Sequence, residues 1–268
     1  LENPTFYYTP VWSPDSKDLA YGDADRNLWV TEIESGKTRL VGNEMFAHPE
    51  RLIYPAWSPD SKWIAYSARL TNQFNAIFVY SLSTGESTQF TDGLSNAHSP
   101  AWDAGGKYLS FLASTNYGLN VGWLDMTSYN QPNSLAIYLA VLADDVSSPL
   151  APESDDEDVK AEEKGEDEDG ESAEEDGVTV TIDFEGRDQR ILALDVPARS
   201  YVSLKPGAEG VLFYTENVSN QPGLTLHRYK LEDREASIVT SGIGDFEVSA
   251  DNQKLLIARP VNQWAIAD

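Results

Sequence analysis

The chain contains no cysteine. Disulfides, thiolate metal sites and a cysteine nucleophile are therefore excluded, while the compartment stays open, because cytosolic and exported proteins alike can lack the residue. Long apolar runs are also missing. No 18 apolar residues follow one another, so the sequence offers no membrane-spanning helix. Positive charge is short: 19 Lys and Arg stand against 44 Asp and Glu, a net charge of −25. Such a chain repels phosphate, which disfavours nucleic acid as a partner, and attracts cationic peptides or proteins. Leu1 is not a Met, and no basic-then-apolar leader precedes the first repeat; mature protein or a piece of a longer chain is the expectation.

Catalytic signatures are equally absent. There is no Gly-x-Ser-x-Gly elbow, no His-Glu-x-x-His helix and no phosphate-cradling Gly-Lys-Ser loop. The three histidines, His48, His98 and His227, fall at different phases of the repeat described next and read as loop residues with ordinary partners. The expectation is a chain with no catalytic residue, no cofactor site and no metal site.

What the sequence does have is an internal repeat. Pro10-Val11-Trp12-Ser13-Pro14-Asp15-Ser16-Lys17 returns as Pro55-Ala56-Trp57-Ser58-Pro59-Asp60-Ser61-Lys62, and in degenerate form as Pro100-Ala101-Trp102-Asp103-Ala104-Gly105-Gly106-Lys107. Weaker copies lie at Leu204-Lys205-Pro206-Gly207 and at Val248 to Lys254. The second copy shows the unit. One strand ends at Trp57, and a Ser-Pro-Asp-Ser turn follows, in which Pro presets φ and Ser or Asp can bond nearby backbone N–H groups. Strands over 63–67, 76–82 and 87–91 complete it, with Thr84-Gly85 turning the last hairpin. Four short strands repeating at about 45 residues predict a propeller blade.

The predicted fold is thus all-β: one propeller region over 1–268, with four-stranded antiparallel blades at about 8–48, 49–93, 94–196, 197–241 and an incomplete 242–268. The ring is expected to be open, because no segment supplies an outer strand to the last blade after its third strand, Trp264–Ala267. Asp15 and Asp60 resemble a carboxylate pair, but turn formation explains both. Trp12, Trp57 and Trp102 resemble an aromatic cage, but one shared position in consecutive blades points to packing between blades.

The third blade carries two insertions, on opposite faces of the ring. The loop 114–134 is apolar for a loop, with Tyr117, Leu119, Val121, Trp123, Leu124 and Tyr129; it either folds onto its own blade or docks another domain or subunit. The segment 143–181 includes 15 acids and two lysines within 153–177, a composition that predicts disorder. An EF-hand reading fails there, because taking Gly170 as the loop glycine puts Gly165 where an Asp is needed. Deleting 153–177 should lower the melting temperature by no more than a few degrees, at low salt and near 0.5 M alike, since closure entropy changes slowly with loop length. A larger loss in both conditions makes the segment structural.

Two stretches of this blade carry a narrower likeness. Ser147-Ser148-Pro149-Leu150-Ala151-Pro152-Glu153-Ser154-Asp155-Asp156-Glu157, followed by Ile182-Asp183-Phe184-Glu185-Gly186-Arg187-Asp188-Gln189-Arg190-Ile191-Leu192-Ala193-Leu194, resembles the second propeller of the tricorn protease family. There a Pro-Ser-Pro-Phe-Ala-Pro-Glu stretch precedes an acidic insert and a Phe-Asp-Gly-Ile-x-x-Arg segment. Arg187 departs from the usual apolar residue, and Asp195 from the usual Pro. The resemblance implies a large serine peptidase with two propellers, a PDZ domain and downstream catalytic domains. This chain would be the last five blades of a seven-bladed ring that guides peptides towards the catalytic site. It implies peptide substrates and adjacent domains as partners, allows homo-oligomerisation, and favours the cytoplasm, with the periplasm as the alternative. The competing readings are a stand-alone interaction propeller of the TolB type and the propeller of a prolyl-oligopeptidase-like enzyme.

Overall fold

The computed structural model describes residues 5–46, 53–116, 133–152, 177–260 and 263–267. Their strands form five separate antiparallel sheets in chain order. The first contains β1 (Tyr7–Trp12), β2 (Asp18–Asp23), β3 (Asn27–Glu32) and β4 (Thr38–Asn43). The second contains β5 (Ala56–Trp57), β6 (Trp63–Arg69), β7 (Asn75–Ser81) and β8 (Ser87–Gln89). The third contains β9 (Asn96–Trp102), β10 (Tyr108–Ser114), β11 (Ala136–Val141) and β12 (Ile191–Ala193), the last preceded by a 3-10 turn at Arg187–Arg190. The fourth contains β13 (Tyr201–Pro206), β14 (Val211–Glu216), β15 (Leu224–Lys230) and β16 (Glu235–Ile243). The fifth has three described strands, β17 (Asp245–Val248), β18 (Leu255–Arg259) and β19 (Gln263–Ala267).

Each strand follows its neighbour in order, so every sheet is a meander, and the sheets stack face to face as blades. Both faces of an inner blade are buried, which is why β7 reads as a nearly continuous apolar run. One face of the first blade, with Ala20, Leu28, Val30 and Val41, packs on Ile64, Tyr66 and Tyr80 of the second. The other face of the second blade presents Ala65, Ile77, Val79 and Phe90 to Trp102, Leu109 and Phe111 of the third. Ile137 and Leu139 of the third meet Leu204, Leu212 and Tyr214 of the fourth, and Phe213 and Leu226 of the fourth meet Phe246 and Ile257 of the fifth. A fully buried aliphatic or aromatic side chain contributes about 1.5–3 kcal/mol, so these four interfaces carry the fold.

This is a five-bladed propeller arrangement with no closed sheet. Tyr7–Trp12 is the inner strand of the first blade, and β19 is the outer described strand of the fifth. The strand ends differ slightly from the expected ones. β8 stops at Gln89 because Phe90 turns into the core and the Thr91 hydroxyl accepts the Ile77 amide at 3.0 Å. β12 begins at Ile191 because Arg190 closes the 3-10 turn. β13 ends at Pro206, so the strand end held by Trp102 in the third blade belongs here to Pro206, two residues past Leu204.

Of the two insertions, residues 117–132 and 153–176 lie outside the described residues. The described ends of 143–181 are packed. Leu150 joins the interface of blades three and four, and the Ala151 carbonyl accepts Arg234 at 2.6 Å. On the return, Val180 is buried with Ile182 and Phe184 at the interface of blades two and three.

Candidate functional site

The repeated turn uses its serine and aspartate in the same way each time. Ser13 Oγ donates to Asp15 Oδ1 at 2.7 Å and accepts the Asp18 amide at 2.9 Å, while Asp15 Oδ1 accepts the Lys17 amide at 3.1 Å. Ser58 and Asp60 repeat the pattern, as do Ser249 and Asp251. The next residue sits in the left-handed region, at φ 61° for Ser16, 60° for Ser61 and 57° for Asn252. Burial pushes the Asp15 carboxyl up, but the Ser13 hydroxyl and the Lys17 amide outweigh it and hold the group below its ordinary value. Turn formation accounts for Asp15. For Asp60 it is incomplete: Oδ2 also accepts the Val180 amide at 3.0 Å and pins the returning insertion to the second blade. Asp103 reaches further still, with Oδ2 accepting Gly105 N at 3.0 Å and Oδ1 accepting Gly210 N of the fourth blade at 2.8 Å.

The tryptophans form a ladder between blades. Trp57 Nε1 donates to the Val11 carbonyl at 3.1 Å, and Trp102 Nε1 to the Ala56 carbonyl at 2.9 Å, in each case the residue just before the preceding tryptophan. They are packing residues with a satisfied indole, not a cage. Trp12, on the outer face of the first blade, is 54 % exposed, whereas Trp102 is 3 % exposed.

His48 lies outside the described residues. The other two histidines are on strands rather than in loops. His98, in β9, places Nδ1 2.9 Å from the hydroxyl of Ser99, and burial pulls its pKa down. His227, in β15, stacks on Tyr214 at 4.8 Å with the rings 2° from parallel. Its Nε2 lies 3.0 Å from Glu216 Oε2, close enough for an ion pair but without hydrogen-bond alignment. Burial lowers its pKa despite the opposing pull of Glu216, whose carboxyl group also meets Arg199 at 3.3 Å. The carboxylate–imidazole pair and the imidazole–hydroxyl pair are therefore in different blades, and the structure does not bring a triad together from them. The Arg199–Glu216–His227 group was not legible in the sequence, because it joins Arg199, from the segment before β13, to Glu216 of β14 and His227 of the paired strand β15.

A cavity with a mixed apolar and acidic lining opens between blades two and three. It has a volume of about 300 Å³ and is lined by Phe111, Tyr138 and Ile191 from the third blade, Leu94 and Asp92 from the loop leaving the second, and Asp188 from the 3-10 turn. It exists because β8 pairs only with Phe78–Tyr80 of β7 and leaves part of the facing blade uncovered. Phe111 and Tyr138 stack at 5.8 Å. Asp92 is fixed on a rigid turn: its Oδ1 accepts the Leu94 amide at 2.9 Å, and Asn72 Nδ2 donates to the Gly93 carbonyl at 2.9 Å. Gly93 has φ +79°, a left-handed conformation that favours glycine, and a Cβ there would also press on the tip of the Leu70 side chain.

Comparison with known proteins is decisive for the family. The model of the tricorn protease second β-propeller domain matches residues 2–266. The chain belongs to that family. It is 27 % identical over 263 residues to tricorn protease homolog 1 of Streptomyces coelicolor, covering 91 % of this chain and 23 % of that protein. The crystal structure of the tricorn protease superposes with a TM-score of 0.72 at 17 % identity, over 99 % of this chain and 25 % of that one. TolB from Acinetobacter baumannii gives 0.55 at 16 % identity, over 97 % of this chain and 49 % of that one. At these identities the likeness to solved structures is one of fold. The chain spans about a quarter of the length of its tricorn relatives.

The stretch by which the sequence resembles this tricorn family is a clamp between blades. Gly186, at φ 67°, opens the 3-10 turn, and Phe184 packs against Trp63 and Phe90 of the second blade. Arg187, the departure from the family pattern, donates to the carbonyls of Phe90 at 2.8 Å, Gln89 at 3.2 Å and Phe184 at 2.8 Å. Arg190 donates to Val141 and Glu185 at 3.2 Å each, to Leu142 at 3.5 Å, and to Asp183. The motif is thus accounted for by blade assembly.

Proposed function

We propose that this chain is a non-catalytic propeller that receives peptides and directs them to a catalytic domain elsewhere in a larger tricorn-like protein. The observation that carries the proposal is the match over residues 2–266 to a propeller domain of a protease. Further support comes from the residues that could suggest chemistry: Asp15, Asp60, Trp57 and Trp102 have structural partners, and the two described histidines sit in separate blades. Relatives about four times as long make adjacent domains the first partners, and homo-oligomerisation fits the same picture. The likeness to TolB supports the fold and adds no function.

The purified chain is expected to cleave no peptide above the buffer rate. A fluorogenic peptide panel measures this directly. Turnover that a serine-directed reagent blocks, and that His227→Gln or His98→Gln removes, would place a catalytic site in this chain and overturn the proposal.

A further inference from the structure

We propose that the cleft between the second and third blades holds one cationic side chain, arginine or lysine, of an extended peptide. The inference rests on the peptide-receiving role above and names the kind of peptide that role selects. Three observations support it. The cavity, about 300 Å³, is at the small end of ligand sites, suited to a side chain and not to a large molecule. Its wall is formed by the partly exposed Tyr138 and Ile191, with Phe111, 2 % exposed, stacked against Tyr138, an apolar and aromatic surface for a methylene stem and, for arginine, a planar head. Among the described residues, its lining carries two carboxylates, Asp92 and Asp188, and no lysine or arginine.

The nearest guanidinium groups do not cancel that charge complementarity by occupying the carboxylates. Arg187 and Arg190 flank Asp188 in the chain, yet their hydrogen bonds go to backbone carbonyls. Both acids stand on fixed backbone, Asp92 on the turn braced by Asn72 and Asp188 on the 3-10 turn that those arginines clamp. A cation entering the cleft meets groups already in place, which lowers the ordering cost of binding. Charge on the rest of the acidic chain raises the encounter rate of such a peptide without selecting the cleft.

The test uses two acetylated pentapeptide amides that differ only in the central residue, arginine or norleucine, titrated at 0.15 M salt into the full chain and its variants. The arginine peptide is expected to bind more tightly. Asp92→Asn and Asp188→Asn should each weaken it by about threefold to tenfold and leave the norleucine peptide unchanged. A paired control, Glu34→Gln with Glu86→Gln in the turns at the opposite ends of the sheets, should change neither. Equal weakening by the control means diffuse attraction and overturns the cleft. Binding of both peptides with no response to Asp92 or Asp188 overturns the cleft and leaves the peptide-receiving role standing. Binding of neither peptide overturns both. If the arginine peptide binds only after residues 117–132 are shortened, the cleft belongs to the chain's own segment; if the Asp variants change sedimentation instead, it belongs to a second copy. Either result overturns the inference.

Discussion

Trp102→Ala should cost about 3–5 kcal/mol, as deletion of a large aromatic from a packed core does. Trp102 is 3 % exposed, packs in the interface of blades two and three, and gives its indole N–H to the Ala56 carbonyl. Removal opens a cavity and leaves a carbonyl without its donor, and the two losses fall on one interface. Trp57→Ala should cost less, about 1–3 kcal/mol, because the ring is half-buried although its bond to Val11 is equivalent. Trp12→Ala should cost under about 1 kcal/mol, since more than half of that side chain faces solvent. Urea unfolding of the three variants measures the gradient. In thermal unfolding the first should appear as a shift of roughly 10 °C.

The gradient is informative because the three residues share one motif. Local sequence makes them equal; the blade on the far side makes them differ. Trp12 pairs with Leu19, which lines a surface depression with Tyr21 and Thr31, and Leu40, three strands away in the same sheet, is 49 % exposed. A cost for Trp12→Ala equal to that of Trp102→Ala would mean that another blade or a second copy covers this face in solution. It would then rise with protein concentration if the cover were a second copy.

The same distinction separates what could be read in the sequence from what could not. Turn chemistry is local, so Ser13–Asp15 and Ser58–Asp60 announced both the hairpins and the repeat. The fourth blade lacks that chemistry: its turn is Gly207-Ala208-Glu209-Gly210, and Asp103 of the third blade supplies the acceptor for Gly210. With the signal moved to another blade, the fourth copy keeps only Pro206-Gly207 at the strand end where the third has Trp102-Asp103. Asp60 looked complete as a turn residue because its bond to Val180 joins positions 120 apart. The cleft was invisible for a different reason. It follows from β8 ending early, and whether Phe90 continues a strand or turns into the core is decided by the interface it joins. The family stretch around Arg190 was legible as a likeness, but its role as a clamp depends on carbonyls from two blades.

That clamp sets the second large effect. Arg190→Ala should destabilise the chain by about 2–4 kcal/mol, because a charged donor is lost from several partly buried carbonyls at once. Four carbonyls share its guanidinium, two from the end of the third strand of the blade, Val141 and Leu142, and two from the turn before the outer strand, Asp183 and Glu185. Arg190→Lys should recover less than half of the loss: an ammonium keeps the charge but cannot reproduce the planar fork that reaches both segments. Arg187→Met, which restores an apolar residue of the kind the family pattern expects, should cost about 1–3 kcal/mol through loss of its bonds to Gln89, Phe90 and Phe184. The double variant should lose less than the sum of the singles, since both side chains hold the same 183–185 turn and its release is counted only once. Urea unfolding of the four proteins checks the series. A loss below about 0.5 kcal/mol for Arg190→Ala, or full recovery by Arg190→Lys, would mean that charge alone matters at this position and that the forked bonds to the carbonyls add nothing to blade assembly.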